Sequence, residues 1–178
     1  SILRETKKNW IILRTFSKAY GLAGLRIGFA ITANERIADY LNRARTPFNT
    51  NAVAQRAAAI ALADNDHLQK STRLAIGERE RVAAALKARG YKVAPSLGNF
   101  VFFDCGGSAT AFSERLLAQG VITKPWKQAG FETFVRVSIG LASENDHFLA
   151  ALPADEGTAR CRTSAMSNGN RPDDHSQH

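Results

Sequence analysis

Residues Thr15–Gly28 read TFSKAYGLAGLRIG, and this stretch places one lysine, one arginine, two hydroxyls and three glycines within a single short connection. It follows the apolar run WIIL, Trp10–Leu13, which reads as a short strand, and leads into a second apolar run, Leu25–Thr32 (LRIGFAIT), also read as a buried strand. Lys18 therefore falls just beyond a strand end, a place where a side chain on a rigid scaffold is free to do chemistry. Thr15, Ser17 and Arg26 offer hydroxyl donors and a guanidinium fork suited to a dianionic phosphate, and Gly21, Gly24 and Gly28 permit tight turns and close backbone approach.

A reactive amine beside a phosphate site points to pyridoxal phosphate, whose aldehyde condenses with a lysine amine while its phosphate is pinned. The same residues also fit a surface lysine and arginine flanking an ordinary Gly-rich turn, because Gly-rich patterns alone carry little information. SKAYGLAGLRIG, Ser17–Gly28, resembles the lysine motif of the fold type I pyridoxal phosphate enzymes, and within them the histidinol-phosphate aminotransferase group. The resemblance implies that Lys18 carries the cofactor covalently and that Arg26, eight positions later, binds its phosphate. It implies that Thr15, three positions before the lysine, contacts that phosphate too; Ser17 fits the same role by proximity.

Composition is compatible with this. The 178 residues are 44% hydrophobic and 22% charged, the balance of a globular chain with a real core. No apolar run is long enough to span a bilayer, and the opening SILRETKKNW lacks the order of a signal peptide, so the expected location is cytoplasmic, with no membrane partner. The net charge of +8 raises the question of nucleic acid, but the bases are interleaved with acids, as in GERERVAAALKARG, Gly77–Gly90. That is the pattern of a solvated helix face, and no nucleic-acid partner is expected. Cys105 and Cys161 have no metal-ligand spacing, no metal site is expected, and both read as reduced thiols.

Along the chain, Asn34 is placed to cap a helix over ERIADYLNRA, Glu35–Ala44, with Ile37, Leu41 and Ala44 on one face. Pro47 breaks the chain, and an alanine-rich helix follows from about Asn51. PFNTNAVAQ, Pro47–Gln55, again resembles the aminotransferase group, although Asn49 and Asn51 read first as loop and N-cap residues. A long helix is expected over Asp66–Arg89, interrupted by Gly77 with a possible bend and closed by Gly90. After Gly90 come short strands around one helix (YKVAPS, NFVFFD, SATAFSERLLAQ, GVITKP, FVRVSIG) and a final helix SENDHFLAAL, in which Ser143 and Asp146 form a loose capping box.

A strand arginine such as Arg136, in FVRVSIG, either solvates a sheet face or grips a planar carboxylate with two parallel hydrogen bonds. The resemblance implies the second, with Arg136 anchoring the substrate carboxylate. Asn99, in LGNFVFF, matches an asparagine of the same enzymes and reads equally as a turn residue before a strand. Lys124, Trp126 and Lys127 face either a substrate phosphate or ring, or the rim of the loop.

The expected fold is accordingly α/β, a fold type I fragment. It comprises the end of the large-domain sheet (residues 1–66), a linking helix with a small C-terminal α/β domain (67–152), and a polar tail (153–178) with no role for its histidines. The boundary and the link are implied by the resemblance. So is the expectation that the cofactor-pairing aspartate, the Gly-containing phosphate loop, the stacking aromatic and a tyrosine given to a partner subunit lie upstream of anything present here. The reaction implied is transamination of an amino acid or histidinol phosphate with a 2-oxo acid, in a homodimer when full length, this chain alone being incomplete and inactive. A decarboxylase of the same fold and a noncatalytic fragment remain the alternatives.

Overall fold

The structure, a computed structural model, describes residues 8–153; the tail from 154 onward, with Cys161, His175 and His178, lies outside the described residues. The chain divides into two units, with the division falling inside a helix between Arg73 and Leu74.

In the first unit β1 (Ile11–Thr15) and β2 (Gly28–Thr32) form a two-stranded antiparallel ladder in which Ile11 faces Thr32 and Thr15 faces Gly28. The strand expected from Leu25 starts only at Gly28, because Ala23–Leu25 winds into a 3-10 turn and Arg26 adopts a left-handed backbone, φ 53°. Helix α1 (Glu35–Ala44) starts where the sequence places it: the Asn34 side chain accepts the Ile37 amide at 3.1 Å. Its apolar stripe is not buried, and Leu41 stays 37% exposed. Asn51 caps α2 (Ala52–Ala63) in the same way, accepting the Ala54 amide at 2.8 Å, which is the N-cap role read from the sequence.

Helix α3 (Asn65–Ala88) runs through Gly77 without interruption, since one glycine lowers helix propensity but keeps its N–H and C=O in the hydrogen-bond ladder. Gly90, φ 83°, closes it: its amide donates to the Lys87 carbonyl at 2.9 Å, and the Tyr91 amide donates to the Leu86 carbonyl at 3.1 Å.

The second unit is a four-stranded antiparallel sheet in the order β3-β4-β6-β5: β3 (Lys92–Val93), β4 (Phe100–Asp104), β5 (Lys124–Pro125) and β6 (Phe134–Ser138). Two helices accompany it, α4 (Ala109–Leu117) and α5 (Ala142–Ala151). Alternation along β4 and β6 sends Val101, Phe103, Val135 and Val137 into a core shared with Val82 and Leu86 of α3, Phe112 and Leu116 of α4, and Phe148 of α5. Cys105 is buried beside them, its Sγ 3.5 Å from the Gly107 carbonyl.

The start of α5 differs from the capping box read at Ser143 and Asp146. Glu144 carries the cap, accepting the Leu141 amide at 2.7 Å. Asp146 is instead drawn to Arg81, whose Nη1 lies 2.7 Å from its carboxylate. Among the described residues no helix is long and apolar enough to cross a membrane.

Candidate active site

Lys18 lies on the twelve-residue connection from Phe16 to Ile27 that closes the β1–β2 hairpin. The ladder continues one step beyond the strands, with the Phe16 amide donating to the Ile27 carbonyl at 3.2 Å, so Ser17 and Arg26 follow as the next residues on either side. Phe16, only 2% exposed, anchors the connection by packing on Tyr20 and Phe29 at ring separations of 4.9 and 5.6 Å. A turn then begins at Lys18: its carbonyl accepts the Gly21 amide at 2.8 Å, and Gly21 takes φ 69°, which an L-side chain disfavours. The Leu22 amide returns to the Phe16 carbonyl at 2.9 Å. Lys18 thus stands exposed at the head of a pinned turn.

The hydroxyls are held on the same connection. Thr15 Oγ1 donates to Ser17 Oγ at 2.9 Å and accepts the Ser17 amide at 3.1 Å, which fixes both side chains beside the lysine. Gly28, opposite Thr15, could not carry a side chain: a Cβ there would stand 2.5 Å from the Arg14 carbonyl oxygen. Arg26 curls its Nη1 onto the Ala23 carbonyl at 2.8 Å, which leaves the rest of its guanidinium fork exposed. Four residues named from the sequence, Thr15, Ser17, Lys18 and Arg26, therefore share one end of one hairpin. Hydroxyls, a backbone stripped of Cβ and a guanidinium are a donor set that fits a phosphate dianion, and the amine beside them fits the aldehyde of pyridoxal phosphate.

Arg136 and Asn99 belong to the second unit. Arg136 sits centrally in β6, directly opposite Phe102 of β4 on one side and Lys124 of β5 on the other. Its guanidinium lies over the Phe100 ring, 5.5 Å from the centroid, and its Nε is buried without a hydrogen-bond acceptor. A buried cationic donor without an acceptor is costly, and a carboxylate ligand would satisfy it. The Asn99 carbonyl accepts the Ile139 amide at 2.9 Å, so that residue pins the end of β6 through its backbone while its side chain stays exposed.

Beside Arg136 the sequence reading underrated the aromatic company. Phe102 meets Phe134 at 4.9 Å, Trp126 at 5.5 Å and Phe131 at 6.1 Å. Lys124 Nζ lies 5.6 Å from the Trp126 ring centroid. The period-two pattern of NFVFFD and FVRVSIG, which puts Phe102, Phe134 and Arg136 on the face away from the core, was the signal for this cluster.

Known proteins resemble the chain along most of its length. Histidinol-phosphate aminotransferase 3 of Rhizobium meliloti is 57% identical over 151 residues, which are 85% of this chain and 41% of that protein. Histidinol-phosphate aminotransferase 1 of Mesorhizobium japonicum is 58% identical over 150 residues, 84% of this chain and 41% of that protein. The crystal structure of histidinol-phosphate aminotransferase from Sinorhizobium meliloti in complex with pyridoxal-5'-phosphate superposes with a TM-score of 0.73 at 35% identity, covering 80% of this chain and 40% of that one. The chain spans about two fifths of the length of these relatives, and the α/β architecture is that of a fold type I fragment. The profile described as aminotransferase class I and II matches residues 2–152, and the chain belongs to that family.

Proposed function

We propose that this chain supplies the cofactor-bearing lysine and the carboxylate anchor of a pyridoxal phosphate-dependent aminotransferase, acting on histidinol phosphate or an amino acid with a 2-oxo acid. The observation that carries this reading is the end of the β1–β2 hairpin, where Lys18 stands beside Thr15, Ser17 and Arg26. The relatives' names support the substrate class. The division of labour that the resemblance implies goes with it: residues 1–66 belong to the cofactor-binding domain and 67–152 to the linking helix and small domain. The working form is a cytoplasmic homodimer.

In this reading Thr15, Ser17 and Arg26 hold the cofactor phosphate, and Lys18 holds the cofactor through its amine. When bound, the cofactor supplies an electron sink for charge that develops at the substrate α-carbon. Lys18 Nζ, when not holding the cofactor, would accept the substrate α-proton as a general base and deliver it, as a general acid, to the carbon whose protonation completes the amino transfer. Arg136 orients the substrate by two parallel hydrogen bonds to its carboxylate, which positions the α-carbon for that transfer. Histidinol phosphate has no carboxylate, so Arg136 serves the amino acid and 2-oxo acid half of the exchange, or grips the phosphate in the other half. Asn99 contributes from the start of β4.

The test is reductive trapping. The chain is incubated with pyridoxal phosphate, reduced with borohydride and mapped by peptide mass spectrometry. A pyridoxyl group concentrated on Lys18, and lost without transfer to neighbouring lysines in Lys18→Ala, is the expected result. Label spread evenly over the surface lysines would overturn the assignment.

A further inference from the structure

On the sheet face of the second unit that points away from the core, the aromatic rings are divided between two tasks. Phe102, directly opposite Arg136 across the β4–β6 ladder, is engaged by Phe134, Trp126 and Phe131. Phe100, two residues earlier on the same face and paired with Ser138, meets no other ring among the described residues and turns to Arg136 instead, whose guanidinium carbon lies 5.5 Å from its centroid. Such a diagonal contact is within reach of a long side chain and an aromatic one on an antiparallel pair. Among the described residues the guanidinium has no hydrogen bond and no ion pair, and its Nε is buried. The ring is held from behind. A Cβ on Gly98 would stand 2.7 Å from Phe100 Cε1 and 3.1 Å from Cδ1, so the ring edge rests against bare backbone. That backbone is pinned: Ser96 Oγ accepts the Gly98 amide at 3.2 Å and donates to the Phe100 carbonyl at 2.8 Å, while Arg79 Nη1 of α3 donates to the Gly98 carbonyl at 3.1 Å.

We propose that Phe100 is a positioning residue for Arg136: its ring, seated on Gly98, holds the guanidinium in place for the substrate carboxylate without taking any of its N–H donors. The inference rests on the reading of Arg136 as the carboxylate anchor. A hydrogen-bonded or ion-paired neighbour would also fix an arginine, but it would occupy the same N–H groups that grip a carboxylate and would compete with the substrate. An aromatic face attracts the cation through its quadrupole and leaves the donor edge open. Holding the side chain before the substrate arrives also removes rotamer entropy from the binding step. The glycine at position 98 belongs to the same device, since a side chain there would push the ring off its seat.

The experiment has a spectroscopic arm and a kinetic arm. In the full chain without added cofactor, the Arg136 Nε–Hε resonance, identified by its loss in Arg136→Lys, is expected upfield of the exposed arginines because the group lies over a ring. It should move into their range in Phe100→Leu, stay in place in Phe100→Tyr, and move partway in Gly98→Ala, which displaces the ring without removing it. In an active aminotransferase containing this segment, Phe100→Leu is expected to raise the KM for the amino acid donor roughly tenfold with kcat held within about twofold, and Phe100→Tyr to restore it. In the Arg136→Met background Phe100→Leu should add nothing further, because the two side chains act as one unit. An Arg136 resonance unmoved by Phe100→Leu, or a KM loss that persists in the Arg136→Met background, would overturn the inference. An unchanged KM in Arg136→Met alone would instead sink the anchor reading, and the spectroscopic arm, which needs no substrate, tells the two failures apart.

Discussion

The Arg136 guanidinium stacks over the Phe100 ring at 5.5 Å while its buried Nε has no acceptor. The protein holds a cationic donor desolvated without satisfying it, as a binding group waiting for an anion would be. Replacing it by an apolar side chain of similar length removes the unsatisfied donor. Arg136→Met is therefore expected to leave urea stability of the second unit level, or to raise it by up to about 1 kcal/mol. If Arg136 anchors the substrate carboxylate as proposed, the same variant in an active aminotransferase containing this segment is expected to raise the KM for the amino acid donor roughly a hundredfold, the loss expected for a bidentate charged pair. A stability loss of about 2 kcal/mol or more would show that Arg136 serves the fold instead.

Gly28 faces Thr15 across the ladder, and a Cβ there would meet the Arg14 carbonyl oxygen at 2.5 Å. The obstacle is backbone and cannot rotate away. Gly28→Ala should cost about 1–3 kcal/mol locally. Amide exchange would report it as lost protection in β1 and β2 with the second unit unchanged, and the pyridoxyl label on Lys18 should fall in parallel. Intact protection with full labelling would mean that the cradle tolerates a shifted strand.

Glu78 joins α3 to the start of α5. Its carboxyl is held below the ordinary glutamate range, first by the hydrogen bond from Arg81 and then by that from Asn145, each at 2.7 Å. Arg81 is raised in turn by its bonds to Glu78 and Asp146. A carboxyl depressed in the folded state contributes stability that is fully present above its unfolded pKa, about 4.3, and is lost as pH falls through the lower folded value. Urea midpoints from pH 7 down to pH 3 (set by ~ the glutamate range) should show Glu78→Gln less stable than the parent at neutral pH, with the gap closing in acid. A gap independent of pH would assign the effect to packing.

The local chemistry was legible wherever a short-range rule governs. Asn34 and Asn51 cap the helices they precede, Gly90 closes α3, and the alternation in NFVFFD and FVRVSIG separates core residues from those on the opposite sheet face. The Lys18 motif placed four residues at one hairpin end because they are near in sequence and the ladder does the rest. Reading failed where tertiary partners decide. LRIG resembles a strand by hydrophobicity, yet Arg26 takes a left-handed backbone that ends the 3-10 turn. Asp146 sits where a cap could form, but Arg81, far away in sequence, takes it and leaves the cap to Glu144. The stripe Ile37, Leu41 and Ala44 predicts a buried face, and burial requires a neighbour that no amphipathic pattern names.

Gly77 separates propensity from architecture. It lies mid-helix in α3, exposed, and a Cβ there would meet no heavy atom within 4 Å beyond the adjoining backbone of its own helix. Neither close packing nor a left-handed backbone requires glycine at this point. The helix passes through it because glycine, unlike proline, keeps both backbone hydrogen-bonding groups. Its cost is the chain entropy given up on folding, which alanine would reduce. Gly77→Ala is thus expected to raise the stability of α3 by about 0.5–1 kcal/mol, read as a higher urea midpoint with an unchanged slope and slower amide exchange on both sides of residue 77. The neighbouring Glu78–Arg81 pair should keep its pH dependence, since nothing in that network touches the new methyl. A fall in the midpoint would show that the helix needs to bend at Gly77 in its working state, and that the glycine is retained for motion.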